Sequence, residues 1–245
     1  NFRYAYKNDL NLILPLERTN YVGSPDRFSS ELIEKTPWHH LGYHILNIHT
    51  RWNHSAVKNA LGGDPALITI VRDPVQQFES MYSYFNFYDY LGYVALPDFI
   101  RKLEHNEMEY KLKLEYNRKN KRFGKNQMLF DLGFPVEYFD NEDKVKLFVE
   151  EVNKNFHLVM ITEKMEESIV LLKHLLCWDY KDLVFVKLNA RDENLKANLS
   201  KGQTETLRKW LRADNHLYKK LRDVFDEKVE RFGRKRMEEE KKNLL

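Results

Sequence analysis

The sequence predicts an α/β domain built on a mainly parallel sheet of four or five strands flanked by helices. Three observations lead there. Short apolar runs recur along the chain, helical patterns fall between them, and one run stops abruptly on Arg72-Asp73-Pro74 before a helical pattern resumes. Strands alternating with helices favour parallel pairing, because a parallel connection needs a crossover long enough to hold a helix, and those helices then cover both faces. The 245 residues, 42% hydrophobic and 13% aromatic, suffice for one sizeable core, so a single domain over 1–245 is expected.

The strand-like runs are Leu12 to Leu14, Ile45 to Ile48, Ala66 to Val71, Phe156 to Ile161 and Leu183 to Leu188. After the third, Asp73 is a favourable N-cap and Pro74 a favourable first helical residue, so a helix begins there. Tyr88 to Asp131 breaks the alternation with a long helical insertion, whose basic run Arg118 to Lys125 reads as a solvated helix and loop. Val145, Phe148, Val149 and Val152 share one helix face, as do Met165, Ile169, Leu172 and Leu176. After Gln203 the chain is helical and highly charged, and this end is expected to fray or to pack on sequence outside the chain.

Charge narrows the function classes. The 40 basic residues exceed the 37 acidic ones by 3, a mild excess that suits a small anionic ligand better than a nucleic acid. One cysteine, Cys177, excludes an internal disulfide and a cysteine-rich zinc site. No apolar run reaches the roughly 18 residues of a membrane span. The start, Asn1-Phe2-Arg3-Tyr4, is neither an initiating methionine nor a signal sequence, so the chain is expected to begin partway through a longer one, with any anchor upstream. Two sequons, Asn53-His54-Ser55 and Asn198-Leu199-Ser200, are compatible with a secretory-pathway lumen.

The strand end at Arg72 carries the chemistry. Ligands of open parallel sheets bind beyond the carboxyl ends of the strands, where helix N-termini also point. Arg72 is expected there, with the free N–H groups of the following helix facing the same space, which suits an anion. Ser80, two turns along that helix, adds a hydroxyl, so Arg72 and Ser80 read as a phosphate clamp; the alternative is an arginine paired with a local carboxylate. His49 ends the apolar run Ile45 to Ile48 and is expected at a carboxyl edge beside Arg72, where an imidazole suits proton abstraction near neutrality.

Val71-Arg72-Asp73-Pro74 followed by Ser80 resembles the 3′-phosphate-binding element of sulfotransferases that use 3′-phosphoadenosine 5′-phosphosulfate (PAPS). Further blocks narrow the resemblance to the galactose-3-O-sulfotransferase family. They are Asn47 to Trp52, similar to its His-x-Arg-aromatic segment; Asn126 to Phe134, similar to its Asn-x-Met-x-Phe-Asp-x-Gly-Phe block; and Leu158 to Leu172 and Lys187 to Arg191, similar to its later blocks. The blocks occur in family order. The Arg-Asp-Pro element alone is shared with other sulfotransferases, including the heparan sulfate 2-O type. The family's Lys-Thr-x-x-Ser-Ser-Thr-like loop, which holds the 5′-phosphosulfate, is absent; in the family it precedes the segment matching Asn1 to Tyr6.

The resemblance implies a P-loop-NTPase-like fold and transfer of the sulfuryl group of PAPS to the 3-hydroxyl of a terminal galactose on a glycolipid or glycan. It implies no metal and no nucleic-acid partner. It also implies residence in the Golgi lumen as a type II membrane protein, through an anchor outside this chain; the oligomeric state stays open. His49 takes the catalytic-base role, Arg72, Ser80 and Arg191 contact the nucleotide, and Asn126 contacts the acceptor sugar. Arg51 could orient the acceptor or simply form a salt bridge. Two other classes stand beside this reading. A phosphoryl transferase is disfavoured by the lack of a Gly-x-x-x-x-Gly-Lys-Ser/Thr loop and of a magnesium carboxylate pair. A noncatalytic nucleotide- or carbohydrate-binding module is consistent with the absent loop.

Overall fold

The computed structural model describes residues 2–16, 20–37, 39–119, 123–183 and 196–244. In chain order the elements are α1 (Phe2–Lys7), β1 (Tyr21–Arg27), β2 (His49–Arg51), α2 (His54–Leu61), β3 (Ile68–Val71), α3 (Pro74–Tyr84), α4 (Phe87–Tyr90), α5 (Leu96–Lys119) and α6 (Gln127–Asp131). They continue with α7 (Glu142–Asn155), β4 (Leu158–Ile161), α8 (Met165–Leu175), α9 (Lys201–Trp210), α10 (Arg212–Phe232) and α11 (Arg234–Lys242).

The pairing is parallel, as the alternation predicts, and the described strands form two pairs, β1 with β2 and β3 with β4. Ile68 to Val71 pair in unbroken register with Leu158 to Ile161. The first pair is weaker: Tyr21 and Val22 face His49 and Thr50, then the register jumps to Arg27 opposite Arg51. The run Ile45 to Ile48 contributes only a single bridge, Ile45 to Leu12, and the strand starts at His49 instead. The fifth run lies outside the described residues beyond Leu183.

Two cores hold the layers together. One gathers β3, β4, α6, α7 and α10, where Leu217, Leu221, Phe225 and Val229 recur every fourth residue along one buried face of α10. α7 follows its sequence pattern: Asn141 accepts a hydrogen bond from the Lys144 amide, Glu142 and Asp143 fill the first turn, and Val145, Val149 and Val152 are buried. The other core is aromatic. Phe78 of α3, Phe99 of α5 and Trp210 of α9 meet with ring centroids 5.2 to 5.6 Å apart.

Two expectations change here. The insertion is not a solvated arm: Phe99, Ile100, Leu103, Tyr110 and Leu114 of α5 are buried, and Arg118 and Lys125 are among its buried charges. The charged C-terminal segment packs on the domain itself. Met237 is buried, and Glu240 of α11 accepts hydrogen bonds from Tyr180, Lys173 and His174. Partial burial alone would raise the Glu240 carboxyl, but those three donors hold it well below the usual range.

The turn after α6 is tied to β2. Arg51 donates to the carbonyls of Phe130 (3.1 Å) and Phe134 (3.1 Å), and Arg27 donates to that of Gly133. Gly133 sits at φ 94°, and a Cβ there would run into the Trp52 carbonyl oxygen. Gly133→Ala is therefore expected to destabilise the domain by at least about 1 kcal/mol, read as a lower urea midpoint; an unchanged midpoint would mean the turn relaxes freely.

Candidate active site

The connection from β3 to α3 is fixed on every side but one. Val71 is buried and its carbonyl accepts from the Thr162 hydroxyl at 3.1 Å. The Asp73 amide donates to Glu163 Oε1 at 2.8 Å, and Glu163 Oε2 accepts from the Tyr218 hydroxyl at 3.1 Å. Burial and the Glu163 charge push that phenol up to about 12, so it stays a donor. Asp73 caps α3 as its sequence position predicts, but its Oδ1 accepts from both Val75 and Gln76, at 3.0 and 3.1 Å. The expected free N–H groups at this helix start are therefore already used. Asp73 Oδ2 is paired with Arg208 at 2.6 Å, and Arg72 makes no ion pair among the described residues. Its Nε is buried with no hydrogen-bond partner among the described residues. A buried donor in that state is unfavourable unless something accepts from it.

His49 opens β2, at the amino end of the strand rather than the carboxyl end that its apolar prefix suggests. It is exposed and stacks on Tyr21, with centroids 4.9 Å apart and planes at 27°. A cleft of about 730 Å³ lies beside it. Its wall includes His49 and Arg51 of β2, all of β3 from Ile68 to Val71, and Gln77 and Tyr84 of α3. Ser80 lies three residues after Gln77 and four before Tyr84, on the same stripe of α3. Thus His49 and the end of β3 share one cleft. Arg72, which follows Val71, and Ser80, on the Gln77–Tyr84 stripe, do not themselves form its wall.

Asn126 is placed differently. It is fully buried at φ 52°, and its Oδ1 accepts from the Asp214 amide at 3.3 Å, away from solvent. Asp214 returns the contact: Oδ2 accepts from the Met128 amide (3.1 Å) and Oδ1 from that of Leu129 (2.9 Å). The starts of α6 and α10 thereby cap each other across the core. Arg51 is a clamp as well, since beyond the two carbonyls above it lies 4.1 Å over the Phe130 ring, and Arg118 lies at the same distance. Arg191 lies outside the described residues.

Asp131 and Tyr21 escape a sequence reading focused on Asn126. Asp131 ends α6, lines the cleft, and accepts from Gln127 Nε2 at 2.8 Å. Protein surrounds it deeply, which pushes its carboxyl upward against the Gln127 hydrogen bond and the charges of Arg118 and Arg51. Its side chain nevertheless reaches water through the cleft, so the rise is limited by solvation. The one sequence signal was the Gln127–Asp131 spacing of four within a helical block, which permits this hydrogen bond. Among the described residues no group of three or more His, Cys, Asp or Glu could hold a metal ion.

The family model for galactose-3-O-sulfotransferase matches residues 1–245. The chain belongs to the galactose-3-O-sulfotransferase family. It is 31% identical over 242 residues to the galactosylceramide sulfotransferase of Homo sapiens, covering 98% of this chain and 56% of that protein. It is 30% identical over 255 residues to the galactose-3-O-sulfotransferase 3 of Mus musculus, covering 99% and 56%, and 30% over 230 residues to galactose-3-O-sulfotransferase 2 of the same organism, covering 91% and 57%. This family member thus spans little more than half the length of the curated relatives it matches. No solved structure matches it.

Proposed function

We propose that the protein containing this chain transfers the sulfuryl group of PAPS to the 3-hydroxyl of a terminal galactose. The observation that carries the reading is the Nε of Arg72 at the β3 exit, buried with neither a hydrogen-bond partner nor an ion pair among the described residues. A guanidinium held so is suited to the 3′-phosphate, with Ser80 on the same helix stripe as a second donor. His49, exposed in the adjoining cleft, takes the proton of the acceptor hydroxyl while that oxygen's lone pair forms the new bond to sulfur; the old S–O bond breaks with its electrons on the nucleotide's phosphate. The nucleotide supplies an activated sulfuryl group with a good leaving group. The chain's own residues place it and remove the proton.

The same reading takes the two strand pairs as portions of one P-loop-like parallel sheet. Consecutive residues of β2 and of β3 line the cleft, so their edges face it rather than alternate side chains. Among the described residues β2 pairs only with β1 and β3 only with β4, so a further strand could pair at those edges. The reading also places the protein in the Golgi lumen, anchored by a segment outside these residues. No helix among the described residues is long and apolar enough to cross a membrane. Of the two sequons, Asn198 is exposed, whereas Asn53 donates from Nδ2 to the Phe28 carbonyl at 3.1 Å.

Arg72→Ala in the full-length protein is expected to weaken nucleotide binding about 10- to 100-fold, the span of a charge-assisted contact of roughly 1.5 to 3 kcal/mol. For a nucleotide lacking the 3′-phosphate the loss should be within about 2-fold. Calorimetric titration of both nucleotides checks this, and equal losses would make Arg72 a structural residue.

A further inference from the structure

A second chamber of about 620 Å³ adjoins the cleft of His49, and both chambers are lined by Tyr21, Ser24, Phe85, Phe123 and Asp131. The two differ in charge. The described residues lining the first include His49 and Arg51. Those lining the second include Asp26 and Asp131 and no lysine, arginine or histidine, and Tyr90 adds to its aromatic wall. Phe85 and Phe123 stack at 4.0 Å on the shared wall.

We propose that this second chamber is the acceptor subsite and that it takes a neutral, hydroxyl-bearing sugar while rejecting acidic ones. The inference rests on the transferase reading above. Aromatic rings offer a platform to the apolar face of a pyranose, and carboxylates accept from its hydroxyls. No cation lines this chamber among the described residues, and the nearby Arg51 spends its N–H groups on the Pro25, Phe130 and Phe134 carbonyls, so a sulfate or carboxylate on the sugar meets two carboxylates at the wall and is disfavoured. Asp131 occupies the shared wall, held at its Oδ1 by Gln127, whose Oε1 in turn accepts from the Gly124 amide at 2.9 Å. It is therefore a fixed acceptor beside the place where the sugar must meet His49, and acts as a positioning residue. Asp26 is a second, exposed carboxylate of the same lining.

The test uses the full-length protein, lactose as the neutral acceptor and 6′-sulfolactose as the acidic one. Initial rates are read for transfer, and saturation-transfer NMR for sugar binding, which needs no transfer. Wild type is expected to prefer lactose at least about 10-fold in kcat/KM. Asp131→Asn should raise the lactose KM about 10-fold, with kcat and nucleotide affinity changed far less, because a buried hydroxyl loses a charged acceptor. Asp26→Lys, on an exposed position, should shrink or reverse the preference. Wild type treating both sugars alike, or both variants leaving KM and preference unchanged, would overturn the proposal. Lactose binding that depends on Asp131 without any sulfuryl transfer would instead overturn the transferase reading and leave the subsite standing.

Discussion

His49→Ala in the full-length protein is expected to lower turnover onto a galactoside about 100-fold or more, with nucleotide affinity nearly unchanged. A positioned general base contributes roughly two to four powers of ten, and the imidazole is needed only as the acceptor hydroxyl loses its proton. The structure makes this substitution a clean one. His49 is exposed, and its ring contact is the stack on Tyr21, so folding should barely respond. Initial rates, nucleotide titration and a melting curve check the three parts together. A variant that loses melting temperature and nucleotide affinity along with rate would make His49 a structural residue.

Asp214→Ala is expected to cost about 2 to 6 kcal/mol of stability, because it leaves the buried amides of Met128 and Leu129 without an acceptor, each worth roughly 1 to 3 kcal/mol. The isosteric Asp214→Asn should also destabilise, since one of its two acceptors becomes an NH2 group facing an N–H donor. A pH signature separates this from simple loss of packing. Burial, joined by the charge of Asp131, pushes the Asp214 carboxyl up to about 7, against its two amide donors and Arg118. The folded state then binds more protons than the unfolded one between the ordinary carboxylate range and about pH 7. Stability from this group is present at the acid end of that window and falls as pH rises through it. The urea-unfolding gap between wild type and Asp214→Asn should accordingly narrow toward pH 8. Equal stability of the two proteins at every pH would show that the reciprocal cap is not needed.

The parts of this protein legible in the sequence were those set by neighbours a few positions away. Asp73 and Pro74 announce the start of α3, and Asn141 with the Val145, Val149 and Val152 stripe announces α7, because capping and helix periodicity act within one or two turns. The strand end before Arg72 and the helix carrying Ser80 were legible for the same reason, and the ordered blocks carried the family. Other features depend on which segments meet. Asp73 saturates the helix start and goes to Arg208 at 2.6 Å, 135 residues away, rather than to its neighbour Arg72. Asn126 was expected to contact the sugar from the resemblance of its block and from its paired donor and acceptor. Its Oδ1 accepts from the Asp214 amide, because α6 and α10 lack local side-chain caps and supply each other's across the core. α5 looked solvated because its apolar residues are diluted among charges. Only its packing against α9 shows that Phe99, Ile100 and Leu103 form a face. The sequence by itself determined the local elements and the family. Tertiary structure decided which polar groups are already satisfied and which still face a cleft, since a hydrogen bond between distant segments leaves no periodic trace in either one.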